Sequence, residues 1–451
     1  MDDSEVVAEQ AAELVERVAA IDVAKASGML CVRLPHERIE GRRTQRVWNV
    51  GATTSAILEL GDHLMCQGVT RVVMEATGSY WKPWFYLLEA RGLECWLVNA
   101  RNVKNVPGRP KTDKIDAVWL CKLAERGMLR PSFVPPKPIR ELRDLTRLRA
   151  VFIGERSRNK QRVEKVLEDA QIKLSSVASD IFGLSGRAML EALIGGERSP
   201  QALAALARGR LISKHNALVE ALTGQFDAHH AYMCRVLMET IDRLTAQVDE
   251  LSERITAQLA CIAPPRPGGD GSTLPDETDP SGESGLLPLV ERLDEIPGVG
   301  RTAAEVILAE LGPDMRIFPT ANYLASWAKL TPRTIQSGGK NTSGPTGHGN
   351  PWLKGMIGEA AMAAARTDTF LGARYRRLVK RRGHKKAIVA VARSMLVIIW
   401  HLIDDPTARF EDLGPGHHQR SVNPVRRTRD LVRQLEALGH TVTLAPVEPA
   451  T

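Results

Sequence analysis

The sequence predicts an α/β domain at the N-terminus, a long helical middle region and a mainly helical C-terminal domain. Up to about residue 126, short β-rich apolar runs alternate with helix-like segments. Residues 139–260 have an almost wholly helical pattern, and a Gly-Val-Gly turn near residue 298 leads into an apolar-periodic helix. At 451 residues the chain is long enough for two or three such domains.

The first domain is predicted to form a mixed sheet with helices on its faces, because three successive strands are followed by alternating helices and strands. This is an RNase H-like arrangement. The predicted strands are 18–24, 29–34, 46–50, 70–75 and 94–98, and the predicted helices are 54–67, 80–91 and 112–126.

The middle region contains a heptad seam, in which apolar residues repeat at spacings of four and three. The seam is formed by Leu237, Ile241, Leu244, Val248, Leu251 and Ile255. It indicates either an intramolecular pair of long helices or a dimer contact, since three heptads do not distinguish the two. The predicted divisions are an acidic extension (1–15), the α/β domain (16–135), the helical coiled-coil region (136–262), a flexible Pro/Gly-rich linker (263–287), the second domain (288–403) and a tail (404–451).

Two acidic residues lie three apart in a basic run. If Thr112 caps a helix, Asp113 and Asp116 fall on one face of its first turn, and Lys111 and Lys114 flank them. Such a pair can hold Mg²⁺ while the lysines hold phosphates. The alternative is that the two acids only complement the helix dipole.

Two more acids lie in or at the end of predicted strands, where acids are rare. Asp22 interrupts the first apolar run, and Glu75 ends the run from residue 70. Either could instead cap an element or pair with a core arginine. With Asp113 and Asp116 they give four carboxylates, in the order Asp, Glu, Asp, Asp, which an RNase H-like fold can bring together around two metal ions.

The segments 21–25, 74–80 and 111–117 resemble the three acidic motifs of insertion-sequence transposases with a RuvC-like DEDD domain. That resemblance implies Mg²⁺ (Mn²⁺ is also possible) on the four acids and a second, serine-bearing transposase domain. It also implies a guide RNA encoded by the element, called the bridge RNA, and donor and target DNA. A homo-oligomer, dimer or tetramer, would share active sites between subunits.

The second half contains matching features. Gly298 and Gly300 form a turn typical of a helix-hairpin-helix, which can hold a phosphate, although an ordinary helix connection is the alternative. Residues 330–340 resemble the family's serine motif, and residues 347–354 resemble its continuation.

The resemblance assigns the nucleophile to Ser337, with Arg333 and Lys340 placed to neutralise charge on a phosphate. Ser343 is the rival candidate, and an ordinary turn is the structural alternative. His348 could orient a group or accept a proton.

Positive charge is concentrated near these motifs although the formal net charge is only +8. Residues 101–149 contain 13 Lys/Arg against 5 Asp/Glu, and residues 366–393 contain 10 against 1. The pattern favours nucleic-acid binding over a solvated helix surface. The arginines predicted to contribute are Arg140, Arg143, Arg147, Arg376, Arg377, Arg381 and Arg382.

The remaining composition suits a cytoplasmic protein without a membrane partner. Six scattered cysteines lack zinc-ligand spacing, the N-terminus is acidic rather than signal-like, and the apolar stretch 387–403 is interrupted by Arg393 and His401.

The resemblance therefore implies an RNA-guided DNA recombinase that acts through a phosphoserine intermediate. Two alternatives remain: a RuvC-like Mg²⁺-dependent nuclease or junction resolvase, and a non-catalytic DNA-binding protein. A recombinase leaves DNA linked to protein, a nuclease leaves free ends, and a binding protein leaves DNA uncut.

Overall fold

The computed structural model describes residues 15–76, 78–99, 112–262, 287–420 and 424–445. The chain divides into two compact units, Met1–Val134 and Pro135–Thr451, which are described separately. Lys111, the acidic extension before residue 15 and the linker 263–286 lie outside the described residues.

The first unit is built on a five-stranded mixed sheet with the strand order β3-β2-β1-β4-β5. The three N-terminal strands are mutually antiparallel, whereas β4 and β5 run parallel to β1. The strands are β1 (Val18–Val23), β2 (Ser27–Pro35), β3 (Arg43–Gly51), β4 (Arg71–Glu75) and β5 (Glu94–Val98). This confirms the predicted mixed sheet.

In the described part of this unit, three helices cover the sheet: α1 (Thr54–Cys66), α2 (Trp81–Ala90) and α3 (Asp113–Glu125). Helices α1 and α2 pack on one face around the fully buried Trp84, and α3 packs on the other. The ends of these helices and of the five strands lie within three residues of the predicted ones. The match is close because short apolar runs and capping residues are local signals.

In the second unit, two 33-residue helices lie side by side, α4 (Lys137–Asp169) and the helix from Ala228 to Ala260. Four seam residues of the second helix, Ile241, Leu244, Val248 and Ile255, are buried. The seam is therefore buried within the chain, which is the first of the two possibilities left open by the sequence.

Short helices connect the two long ones and pack against their ends in one apolar cluster. In chain order they are α5 (Leu174–Val177), α6 (Leu184–Ile194), α7 (Pro200–Ala205), a 3₁₀ turn (Gly209–Lys214) and α8 (His215–Ala221); the second long helix is α9.

The rest of the unit is mainly helical, with one two-stranded hairpin. Its elements are α10 (Leu289–Asp294), α11 (Arg301–Leu311), a 3₁₀ turn (Met315–Ile317), α12 (Ala321–Trp327), β6 (Thr334–Ser337), β7 (Lys340–Ser343), α13 (Pro351–Ala364), α14 (Phe370–Arg382), α15 (His384–Asp404), α16 (His417–Arg420) and α17 (Pro424–Ala437).

Helix α15 is the centre of this part. Among the described residues it is the one helix long and apolar enough to cross a membrane by length and composition. Eight of its side chains are nevertheless buried inside the unit, and the Trp400 indole donates to the Phe318 carbonyl at 2.7 Å. It is a core helix, as predicted.

Candidate active site and nucleic-acid interface

The sheet register places Asp22 and Glu75 side by side. Ile21 pairs with Met74 in the parallel β1–β4 ladder, so the next residue of each strand, Asp22 and Glu75, is also adjacent. Neighbouring strands lie about 4.8 Å apart. The two acids lie on the face that α3 covers, because side chains alternate and Ala20 and Val73 belong to the α3 side of the core.

Helix α3 directs its N-terminus toward the same edge of the sheet. Near its C-terminal end, the Cys121 thiol donates to the carbonyl of Val18, at the start of β1, so the helix runs antiparallel to that strand. Its first turn, with Asp113 and Asp116, therefore lies toward the carboxyl ends of β1 and β4.

The predicted cap of this helix is present. The Thr112 hydroxyl accepts from the Ile115 amide at 3.3 Å. Asp113 is exposed and Asp116 is half-buried, and each stands four residues before a buried residue of α3, Ala117 and Leu120 respectively. Both acids therefore lie on the sheet-facing side of α3, in the first turn, before the buried residues of that side begin.

The far end of α3 carries a different kind of acid. Glu125 is buried and forms ion pairs with Arg33, at 2.7 Å, and with Arg43. The neighbouring thiol of Cys121 is neutral, since its hydrogen bond with Cys31 and its burial raise its pKa well above the usual value. This end is structural, which leaves the N-terminal end as the candidate site.

The donor set at that end consists of carboxylates, the hard oxygen ligands that Mg²⁺ and Mn²⁺ prefer. In the described residues, no three His, Cys, Asp or Glu side chains already stand close enough to share a metal ion. The backbone thus brings the acids to one edge, and a complete ligand shell would require their side chains to turn inward.

Ser337 lies at the tip of an exposed hairpin. It ends β6 and pairs with Lys340 across a two-residue turn, in which Gly338 and Gly339 both have positive φ, +54° and +76°. Such turns need glycine, asparagine or aspartate because other residues are strained there. All four residues of β6 are exposed, so a large substrate can reach the serine.

The base of the hairpin is anchored. The Gly344 amide donates to the Arg333 carbonyl at 2.6 Å, and the Lys354 ammonium donates to the Gly347 carbonyl at 2.8 Å. A Cβ on Gly349 would lie 2.5 Å from the Ala328 carbonyl oxygen, so the loop packs closely there. His348 is exposed in this loop.

The loop ends at a buried acid that sequence reasoning did not identify. The Glu310 side chain, fully buried near the end of α11, accepts from the Asn350 amide at 2.6 Å. Asn350 in turn caps α13, accepting from the amides of Trp352 and Leu353. Glu310 therefore joins the hairpin loop to the core.

Two arginines of α4 complete this cluster and change the interpretation of that helix. Arg147 donates two hydrogen bonds to the Glu310 carboxylate, at 2.7 and 2.8 Å. Arg143 lies 3.2 Å from the same carboxylate and also donates to the carbonyls of Ala309 and Glu310. These two guanidiniums hold α4 against α11, and their predicted contact with RNA stays a prediction. Arg140 lies one turn before Arg143 and is half-buried.

The signals that could have identified the cluster are present in the sequence. Glu305 and Glu310 interrupt an apolar helix, and acids in such positions are rarely buried unless paired. Glu305 indeed pairs with the equally buried Arg149 at 2.7 Å. Asn350 directly precedes Pro351, which is a helix-start pattern.

The two glycines of the Gly-Val-Gly turn have different roles. Gly298 has φ +89°, and a Cβ there would lie 2.3 Å from the Ala360 carbonyl oxygen, so this glycine permits close packing on α13. Gly300 is exposed and precedes α11. Of the two, Gly300 is the one whose surroundings leave room for a phosphate.

We expect Gly298→Ala to lower the free energy of unfolding by about 1–3 kcal/mol or more, through positive φ and steric overlap. Gly300→Ala is the matched control, because its backbone is extended and the nearest atom to an added Cβ is 4.0 Å away. Thermal unfolding of the two variants measures the difference. Equal melting temperatures would contradict the packing role.

The predicted basic helix is α14, which is joined to α15 through Gly383. Arg376 is tied internally, to the Asp368 carboxylate at 2.8 Å and the Thr367 carbonyl at 2.9 Å. Arg381 and Arg382 are exposed, and Arg377 is half-buried. Arg333 and Lys114 are also exposed.

Two family models match the chain. Residues 19–172 match the DEDD_Tnp_IS110 model, described as a transposase. Residues 290–376 match a model described as the transposase IS116/IS110/IS902 family. The two matches contain the four acids and Ser337 respectively, and together they span more than half of the chain.

Three proteins with similar sequences are described as transposases or insertion-element proteins. The chain is 23% identical to the transposase for insertion sequence element IS1111A of Coxiella burnetii, over 86% of this chain and 89% of that protein. It is 25% identical to the putative transposase y4pF/y4sB of Sinorhizobium fredii, over 74% and 73% respectively. An insertion element IS110 protein of Streptomyces coelicolor is 34% identical over 27% of this chain and 30% of its own length.

Proposed function

Since the chain belongs to the IS110 family of transposases, we propose that it cuts and rejoins DNA strands of a mobile element and its target through a phosphoserine on Ser337. The observation that carries the proposal is the hairpin: an exposed serine beside a two-glycine turn, on an anchored base, can approach a phosphodiester closely.

The chemistry balances without an external energy source. The Ser337 oxygen attacks phosphorus, a bond from phosphorus to one deoxyribose oxygen breaks, and the released oxygen takes up the proton that the serine loses. A hydroxyl of another strand then attacks the phosphoserine and restores the serine. Because each step exchanges one phosphoester for another, strands can be resealed without ATP.

The acids Asp22, Glu75, Asp113 and Asp116 are proposed to hold Mg²⁺ or Mn²⁺ at the open edge of the sheet. When bound, the metal would stabilise charge on phosphate oxygens. The strand order, with antiparallel β1 to β3 followed by parallel β4 and β5, supports an RNase H-like fold for this unit.

The proposed partners are donor DNA, target DNA and a guide RNA from the element, bound by a homo-oligomer. The exposed cations Lys114, Arg333, Arg381 and Arg382 suit phosphate contacts. Lys111, Lys340, Arg140, Arg376 and Arg377 stay in the proposal with them, whereas Arg143 and Arg147 are assigned to the Glu310 cluster.

We expect a denaturing gel to show protein attached to cleaved element DNA, and Ser337→Ala to eliminate that adduct while DNA binding persists. Ser343→Ala is the control, since it removes the neighbouring hydroxyl of the same hairpin. An adduct that depends on Ser343 would assign the nucleophile there. Cut DNA with free ends and no adduct would indicate a nuclease instead.

A further inference from the structure

A cavity of about 790 Å³ lies between α14 and the C-terminal segment of the chain. Its wall combines side chains of α14 with Pro415, His418 and Arg427. These three residues lie beyond residue 376, where the second family model ends. The sequence alone left this tail without a role.

The cavity is strongly basic. Arg374, Arg377, Lys380 and Arg381 line it from α14, and Arg427 faces them from α17. None of the described residues that line it is an aspartate or a glutamate. Cations gathered in a concave space repel one another, so the site favours an anionic occupant.

Arg374 is the cavity arginine whose charge is least compensated in the described part of the chain. Its Nε atom is buried and has no hydrogen-bond partner in the described part of the chain. Burial, and then the charges of Arg377 and Arg393, lower the pKa of Arg374. Desolvation, and then the charges of Arg377 and Arg374, likewise hold the pKa of His418 below its usual value. An anion in the cavity would offset the repulsion between these cations.

The cavity is larger than a single phosphate group needs. From Arg374 to Arg381 the helix rises about 10 Å, which suits successive phosphodiesters. Phe370 contributes an aromatic ring to the wall, packed edge-on against His417 with centroids 5.5 Å apart. Basic grooves with aromatic rings are how proteins hold single strands, because every base has a face that can stack.

We propose that this cavity binds a single-stranded nucleic-acid segment, with its phosphodiesters on the α14 arginines and Arg427 and a base near Phe370. The proposal rests on the proposed function, since it places a strand of the reacting DNA or of the guide RNA beside the serine-bearing domain. In this proposal the C-terminal tail forms one wall of the binding site.

The test measures affinity of the full-length protein for fluorescent oligonucleotides of about 12 nucleotides, as single-stranded DNA, single-stranded RNA and duplex DNA. We expect Arg377→Gln/Arg381→Gln to weaken single-strand binding about 10-fold and to flatten its salt dependence between about 50 and 200 mM. His418→Ala/Arg427→Gln should weaken it in the same direction. The preferred single strand identifies the source as DNA or RNA.

The matched control is Lys385→Gln/Lys386→Gln, which removes the same charge from the exposed start of α15, outside the cavity. Its effect should stay below about threefold. Equal losses in the two double variants would overturn the proposal, as would a loss confined to duplex DNA. Melting temperatures check that each variant is folded.

The same protein variants test this proposal independently of the proposed serine chemistry. Ser337→Ala should keep the cavity's affinity for single strands while losing the adduct. If wild-type protein forms no adduct but the cavity variants still lose single-strand affinity selectively, the proposed function fails and the binding site stands. If the adduct forms but the cavity variants bind single strands as tightly as the wild type, the proposed function stands and the binding site fails.

Discussion

Replacing Asp22 by asparagine is expected to lower DNA cleavage by about 10²–10³-fold or more, because it removes a carboxylate from the centre of the proposed metal site. Asp22 and Glu75 are register neighbours on the face that α3 covers. Carboxylate oxygens are the ligands that Mg²⁺ prefers, so loss of one of them should weaken metal binding. The fold of metal-free Asp22→Asn protein should persist, which its melting temperature measures.

Added Mg²⁺ distinguishes a site effect from a folding effect. A ligand that binds only the folded state raises its stability as its concentration exceeds the dissociation constant, so Mg²⁺ should raise the wild-type melting temperature more than that of Asp22→Asn. Asp62→Asn is the matched control, an exposed acid on α1 whose partner is Arg91 at 2.8 Å. Full cleavage in EDTA would exclude the metal site.

The sequence predicted the first unit closely because its information is local. Apolar runs mark the strands, and Thr112 caps α3 as expected. The order of the acids along the chain also predicted a shared metal site, which stays a prediction. Their side-chain positions were beyond prediction, since they depend on the β1–β4 register and the direction of α3, which are set by packing across the whole unit.

In the second unit, the local sequence leaves out contacts to residues that are distant in the chain. Arg143 and Arg147 lie in a basic window that suggested RNA, yet their partner Glu310 is more than 160 residues away in the chain. A count of charges in a window does not include such a partner. Gly298 was likewise predicted to hold a phosphate, whereas its close approach is to Ala360.

From the sequence, the hairpin that carries Ser337 was recognised only as a possible turn. Its strands are four residues each, and all four residues of β6 are exposed, so β6 lacks the alternation of buried and exposed residues that marks a half-buried strand. Only the two glycines indicate its geometry, and they do so only once a strand is known to lie on each side.

Replacing Glu310 by alanine is expected to destabilise the second unit by about 3–5 kcal/mol, the usual cost of removing one partner of a buried ion pair. The substitution leaves the guanidiniums of Arg143 and Arg147 without their carboxylate and the Asn350 amide without its acceptor. Because Asn350 ends the loop behind the serine hairpin, the yield of the Ser337 adduct should fall as well. Glu291→Ala, which removes an exposed acid from α10, is the control.

Two further variants separate the charge pair from the positioning of the loop. Glu310→Gln keeps an acceptor for Asn350 and should retain more of the adduct than Glu310→Ala. The triple replacement Arg143→Leu/Arg147→Leu/Glu310→Leu removes every charge of the cluster and should recover stability, since apolar side chains can replace buried ion pairs. It should not recover the adduct, because Asn350 still lacks its acceptor. Full adduct formation by the triple variant would show that Glu310 stabilises the fold without positioning the hairpin.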